Sequence, residues 1–89
     1  MGRTQNKQVD HVRKRAESGA ADAQLNLGLM YSTGQHVPLD YITAHKWFNL
    51  AALNGNDQAR LERKELAEVM SATDIAEAQR MAREWKIAH

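Results

Sequence analysis

Apolar residues recur along this chain at intervals of three and four, the spacing that gathers them on one face of an α-helix. In "KQVDHVRKRAES" the recurring positions are Val9, Val12 and Ala16, and Gly19 follows as a C-terminal stop. From roughly Ala20 to Thr33, Ala23, Leu27, Met30 and Tyr31 share a face while Leu25 and Leu29 lie on another. A helix apolar on two sides is expected to have neighbours on two sides. Gly28 in its middle costs on the order of 1 kcal/mol relative to alanine, and it suits a place where another helix approaches the backbone. Gly34 and Pro38 break the run. A third helix is expected from Asp40, a good N-cap, with Tyr41, Ala44, Trp47, Phe48 and Ala51 on its stripe and a stop at Asn54-Gly55. The fourth, Asp57 to Met70, is charged, and its apolar content is Leu61, Leu66, Val69 and Met70. The fifth opens at Ser71, with Asp74 at capping-box spacing, and carries Ile75, Ala78, Met81, Ala82 and Trp85. A single proline and few β-branched residues agree with helices throughout. Short connections make successive helices antiparallel neighbours.

A shift of 36 residues aligns Ala16 with Ala52, Gly19 with Gly55, Ala23 with Ala59 and Leu25 with Leu61. These are helix ends and small packing positions, where a repeated packing geometry needs them, and the period is that of helical solenoids. The mismatches also carry information. Ala44, Trp47 and Ala51 of the third helix correspond to Gln8, His11 and Arg15 of the first. If those positions pack on the preceding helix of the same repeat, a first helix without that partner wants polar residues there. Residues 6–18 therefore read as an N-terminal capping helix.

At 89 residues the chain holds one small domain, so contacts to a partner or to another copy would add usefully to its stability. Its net charge of +1 gives no general attraction to nucleic acid or to a membrane surface. The charge is uneven, at +3 for residues 1–18 and −1 for each of 19–55 and 56–89. Without cysteine there is no disulfide, zinc-thiolate site or thiol nucleophile. No apolar run approaches membrane-spanning length. The N-terminal "MGRTQNKQVD" does not resemble a secretory leader, so the cytoplasm is the default expectation, or the periplasm if a leader has been removed.

The stretch Gly19 to Gly55 resembles a Sel-one-like repeat, a relative of the tetratricopeptide repeat. Ala23, Leu27-Gly28, Tyr31, Gly34, Val37, Asp40, Ala44, Trp47, Ala51-Ala52 and Gly55 carry the resemblance. Its pattern is a helical hairpin with L-G-x-x-Y in the first helix and A-x-x-W followed by A-A in the second. The tail "IAEAQRMAREW" is similar to the closing segment of bacterial members. One departure lies in the loop, where the family's G-x-G-V reads Gly34-Gln35-His36-Val37. If the second glycine takes positive φ, His36 must tolerate that geometry or the loop must differ; a small loop shift is the expectation. The resemblance implies a right-handed α-solenoid of antiparallel hairpins, about five helices in all. Residues 19–55 would be the complete repeat, and 56–89 a degenerate repeat with a C-terminal capping helix. It also implies a non-catalytic scaffold that binds peptides or proteins on a concave face.

Candidate chemistry agrees with that reading. Ser18, Ser32 and Ser71 sit at helix ends as capping residues, and no nucleophile motif or glycine-rich phosphate loop is present. Glu62, Glu65 and Glu68, interleaved with Arg60, Arg63 and Lys64, read as a solvated face. None of His11, His36, His45 and His89 pairs at i, i+4; an approach of His36 to His45 across the loop lacks supporting carboxylates, so no metal or cofactor is expected. Basic clusters at Arg13, Lys14 and Arg15 (with Lys7) and at Arg80, Arg83 and Lys86 read as solvated faces or contacts to an acidic partner rather than nucleic-acid sites. The concave face would be lined by Asp22, Leu25, Asn26, Leu29 and Ser32, continued by Gln58, Leu61, Glu62 and Glu65. Leu25 and Leu29 are either covered by the C-terminal helix or a neighbouring loop, or form an exposed apolar floor, for a partner or for a homodimer. Tyr31, Met30, Trp47 and Phe48 are assigned to the hairpin core and not to a ligand site.

Overall fold

The computed structural model describes the backbone of residues 3–89 and the side chains from Lys7 onward. Its five helices are α1 (Arg3–Glu17), α2 (Ala21–Thr33), α3 (Tyr41–Leu53), α4 (Asp57–Ala67) and α5 (Ala72–Ala88). They pack as an all-α stack of helical hairpins. Helix α1 lies on α2, α2 pairs with α3, and α4 settles against α3 and the edge of α2.

Side-chain caps fix the starts of three helices. Asp40 accepts from the Thr43 amide at 3.1 Å and from its hydroxyl at 2.8 Å; Asn56 and Ser71 accept from the amides of Ala59 and Asp74. Each satisfies donors that the first turn leaves without a partner. The repeat appears directly in the backbone. Gly19 and Gly55, 36 positions apart, end their helices with φ of 100° and 95°, and Ala23 and Ala59 are both fully buried.

Two apolar clusters flank α3. On one side Trp47 and Leu50 meet Ala16, Ala23, Leu27 and Ala82, with Trp85 packed against them. The Trp47 and Trp85 rings meet edge to face with centroids 5.7 Å apart, a favoured aromatic geometry. On the other side Ala44 and Phe48 meet Leu66, with Leu25, Leu29, Tyr31 and Met70 against them. Phe48 also explains Gly28. A Cβ at Gly28 would lie 2.5 Å from the Phe48 ring and 3.2 Å from the Ala44 carbonyl oxygen, so only glycine lets α2 and α3 come this close.

The structure differs from the sequence pattern in four places. Among the described residues α5 packs along α3 and scarcely touches α4, so the last two helices are not an antiparallel pair. The short Ser71 connection turns α5 away, and Ala82 and Trp85 find Trp47 instead. Helix α4 ends at Ala67 rather than Met70 because the chain turns there and folds Met70 back onto the Phe48 cluster. Tyr41 opens α3 outside both apolar clusters and is 38% exposed. The Gly34–Val37 loop does not shift away from the repeat's geometry: His36 itself takes φ of 70°. Histidine is among the residues that visit this left-handed region more readily than most.

Candidate protein-binding surface

The predicted concave residues divide into two groups. Asp22, Asn26, Leu61 and Glu65 are exposed. Leu25, Leu29, Ser32 and Glu62 are half-buried. The two leucines lean on Ala44, Phe48 and Leu66, so α4 and α3, rather than the C-terminal helix, cover their inner sides. Leu61, the counterpart of Leu25, is 57% exposed because no further helix stacks beside α4 among the described residues. Gln58 lies beside it and donates to Glu62 Oε2 at 2.9 Å, and Ser32 donates to the Leu29 carbonyl.

Two features assigned to separate sites meet in one ion pair. Arg15, of the basic cluster, forks onto both carboxylate oxygens of Asp22 on the concave rim, at 2.9 and 3.0 Å. This hydrogen-bonded guanidinium holds the Asp22 carboxyl below the usual carboxylate range. Arg13 engages Asp10 at 3.3 Å. In α5, Arg80 lies between Glu77 and Glu84 and is engaged by both. Arg13, Arg15 and Arg80 are thus paired with carboxylates, while Lys7, Lys14, Arg83 and Lys86 make no ion pair among the described residues.

The groove beside this face was missed by sequence reasoning. It has a volume of about 650 Å³ and opens between α1 and α2. Helix α1 gives it Lys7, Gln8, His11 and Val12, and α2 gives Asn26, Leu29 and Met30. The loop closes it with Gln35 and His36. That loop is pinned to α2, because the amides of Gly34 and Gln35 both donate to the Met30 carbonyl and the Asp40 amide to that of Tyr31. Val12, Leu29 and Met30 form an apolar floor. Lys7, His11 and His36 supply basic nitrogen, and among the described residues no carboxylate lines the groove. Met30 thus serves both the hairpin core and a groove wall. The 3.6 period of α1 could have located Gln8, His11 and Val12 as a strip, but their meeting with His36 depends on tertiary packing.

His45 lies apart from this groove, buried in α3 with Nδ1 lacking a partner. Burial, with the charge of Arg63 nearby, pushes its pKa below the ordinary histidine value. It is therefore a neutral packing residue at neutral pH, while His36 sits on the exposed loop. Among the described residues no three His, Asp, Glu or Cys side chains are placed to share a metal ion, and no helix is long and apolar enough to cross a membrane.

A full antiparallel hairpin, with helices before and after it in a 36-residue register, defines a helical-repeat protein of the tetratricopeptide type. The model of the Sel1 repeat matches residues 21–56, which are α2, the loop, α3 and the following turn, so this segment is a Sel1-like repeat. No curated protein matches the chain. Repeats of this family generally mediate protein–protein interaction, typically as non-catalytic scaffolds.

Proposed function

We propose that this chain is a non-catalytic binding module that takes a protein or peptide partner on the inner surface of its short array. Asp22, Asn26, Leu61 and Glu65 offer exposed contacts there, and the half-buried Leu25 and Leu29 supply an apolar floor. The observation that carries the reading is the continuity of this face with an open, apolar-floored groove at Leu29. Apolar floors with polar rims are the usual anatomy of protein interfaces. Helix α1 acts as the N-terminal cap, with Gln8, His11 and Arg15 exposed where Ala44 and Ala51 of α3 are buried.

Because Leu25 and Leu29 brace Phe48 and Leu66, changing both to aspartate would damage the fold. The test uses Leu61→Asp and Asn26→Arg, both at exposed positions. The intact chain is used as bait in extract of its own cell, and captured proteins are compared between wild type and variants with helicity verified by circular dichroism. Loss of a specific partner from both variants supports the reading; identical capture by all three chains would sink it.

The exposure of Leu61 and Val69, at 57% and 68%, favours a second reading, a homodimer through α4 and the turn that follows it in place of one through Leu25 and Leu29. Light scattering tests it, since Leu61→Asp should return a dimer to the mass of one chain.

A further inference from the structure

We propose that the groove between α1 and α2 is the seat of an acidic amphipathic helix contributed by a partner protein. This rests on the binding reading above and names the partner's chemistry.

The repeat itself supplies the argument. Gln8, His11 and Val12 on α1 and Met30 on α2 line the groove. Adding 36 to each number gives Ala44, Trp47, Phe48 and Leu66. All four of those counterparts are buried. The element that covers them is a helix: α2 lays Leu25 and Leu29 against Ala44, Phe48 and Leu66, and Leu27 against Trp47. One repeat earlier, the same seat has two walls and no helix across it among the described residues. Its shape is thus a helix seat by construction, and apolar side chains spaced i, i+4, as Leu25 and Leu29 are, fit its floor.

The polarity of the seat says what kind of helix enters. Where the internal seat has alanine and tryptophan, this one has Gln8 and His11, both exposed. A floor of Val12, Leu29 and Met30 under a polar rim suits a helix that comes and goes better than one permanently buried. Lys7, His11 and His36 surround it, and no carboxylate among the described residues lines it. Asp10, the acidic residue nearest in sequence on α1, is taken up by Arg13. Charge complementarity therefore selects carboxylates on the flanks of the incoming helix. His36 holds its place there in a left-handed conformation that glycine would adopt more readily. Side chains kept in such geometry recur where a ligand is gripped.

The test is selection by the full chain from a displayed library of helical peptides of roughly four turns, with leucine fixed at i and i+4 and the flanking positions drawn from Glu, Gln, Lys and Ala. Glutamate should be enriched at the flanks. A winning peptide, resynthesised and followed by fluorescence anisotropy, should lose about tenfold in affinity to the exposed double variant Lys7→Glu with His11→Glu, as expected for reversing the Lys7 charge and adding a second carboxylate beside it. His36→Gly, which relieves the backbone and keeps the fold, should weaken the glutamate-flanked peptide and leave a glutamine-flanked version unchanged. Enrichment of lysine, absence of any preference, or binding undiminished in the groove variants would overturn the proposal. Peptides that lose binding on Leu61→Asp but not on the groove changes would overturn it while leaving the broader binding reading intact. A chain that doubles its mass in light scattering and reverts on Lys7→Glu with His11→Glu would make a second copy the occupant, which also overturns it.

Discussion

Gly28 and Phe48 show how far one residue's chemistry reaches in so small a protein. Gly28→Ala improves helix propensity by about 1 kcal/mol but forces a methyl into the Phe48 ring. The ring is 1% exposed and has no room to retreat. Overpacking of this kind typically costs 1–3 kcal/mol, so a net loss of about 1–2 kcal/mol is expected in urea unfolding. Phe48→Leu should recover part of that loss when combined with Gly28→Ala, and strict additivity of the two changes would mean they do not touch. His45 makes a second prediction. Its folded pKa lies below the unfolded value, so the unfolded chain takes up the proton first. Stability should therefore be level above about pH 7 and fall as pH drops through the unfolded histidine pKa of about 6.5. His45→Gln should flatten that part of the profile relative to wild type; a parallel profile would remove His45 as the cause. Both residues could be read only in part from the sequence. Gly28 stood out as a helix glycine, whereas the burial of His45 depends on which face of α3 meets α4.

At the scale of elements, what was legible is what local chemistry decides. Asp40 and Ser71 cap the helices they precede, and the glycines at 19 and 55 end theirs at the repeat period; the Asn56 cap of α4 was not read from the sequence. The α2–α3 loop illustrates the limit. Its departure from the repeat pattern was visible at His36, but whether the loop moved or the histidine adapted depended on the hydrogen bonds that pin it to Met30 and Tyr31. Those bonds win over a left-handed strain of about 1–2 kcal/mol. His36→Gly should accordingly raise stability by roughly 0.5–1 kcal/mol, measured as an upward shift in the thermal midpoint. A lowered midpoint would mean that the imidazole makes compensating contacts in the folded loop. The groove was illegible for a related reason. Lys7, Gln8 and His11 look like a solvated face in sequence, and they become a wall only when α1 lies antiparallel to α2 with the loop closing the end.

The whole molecule turns on α3, and this sets it apart from an array of independent repeats. Trp47 faces α1, α2 and α5 while Phe48, its chain neighbour, faces α2 and α4. Gln24 adds a polar tie across the same helices: fully buried, it donates to the Ala16 carbonyl at 3.0 Å and accepts from Asn54 at 2.9 Å. In long solenoids each repeat contacts only its neighbours and unfolding can proceed piecewise. Here the last helix returns to the first hairpin through Trp85, so no helix pair can leave without opening a cluster that α3 anchors. Unfolding should therefore be a single cooperative step. Tryptophan fluorescence, which reports Trp47 and Trp85, and circular dichroism, which reports all five helices, should give coincident urea transitions. Trp85→Ala, at a half-buried ring, should lower stability by about 2 kcal/mol and move both transitions together. A fluorescence change that preceded the loss of helicity would show α5 detaching by itself, and the coupling assigned to α3 would then be absent.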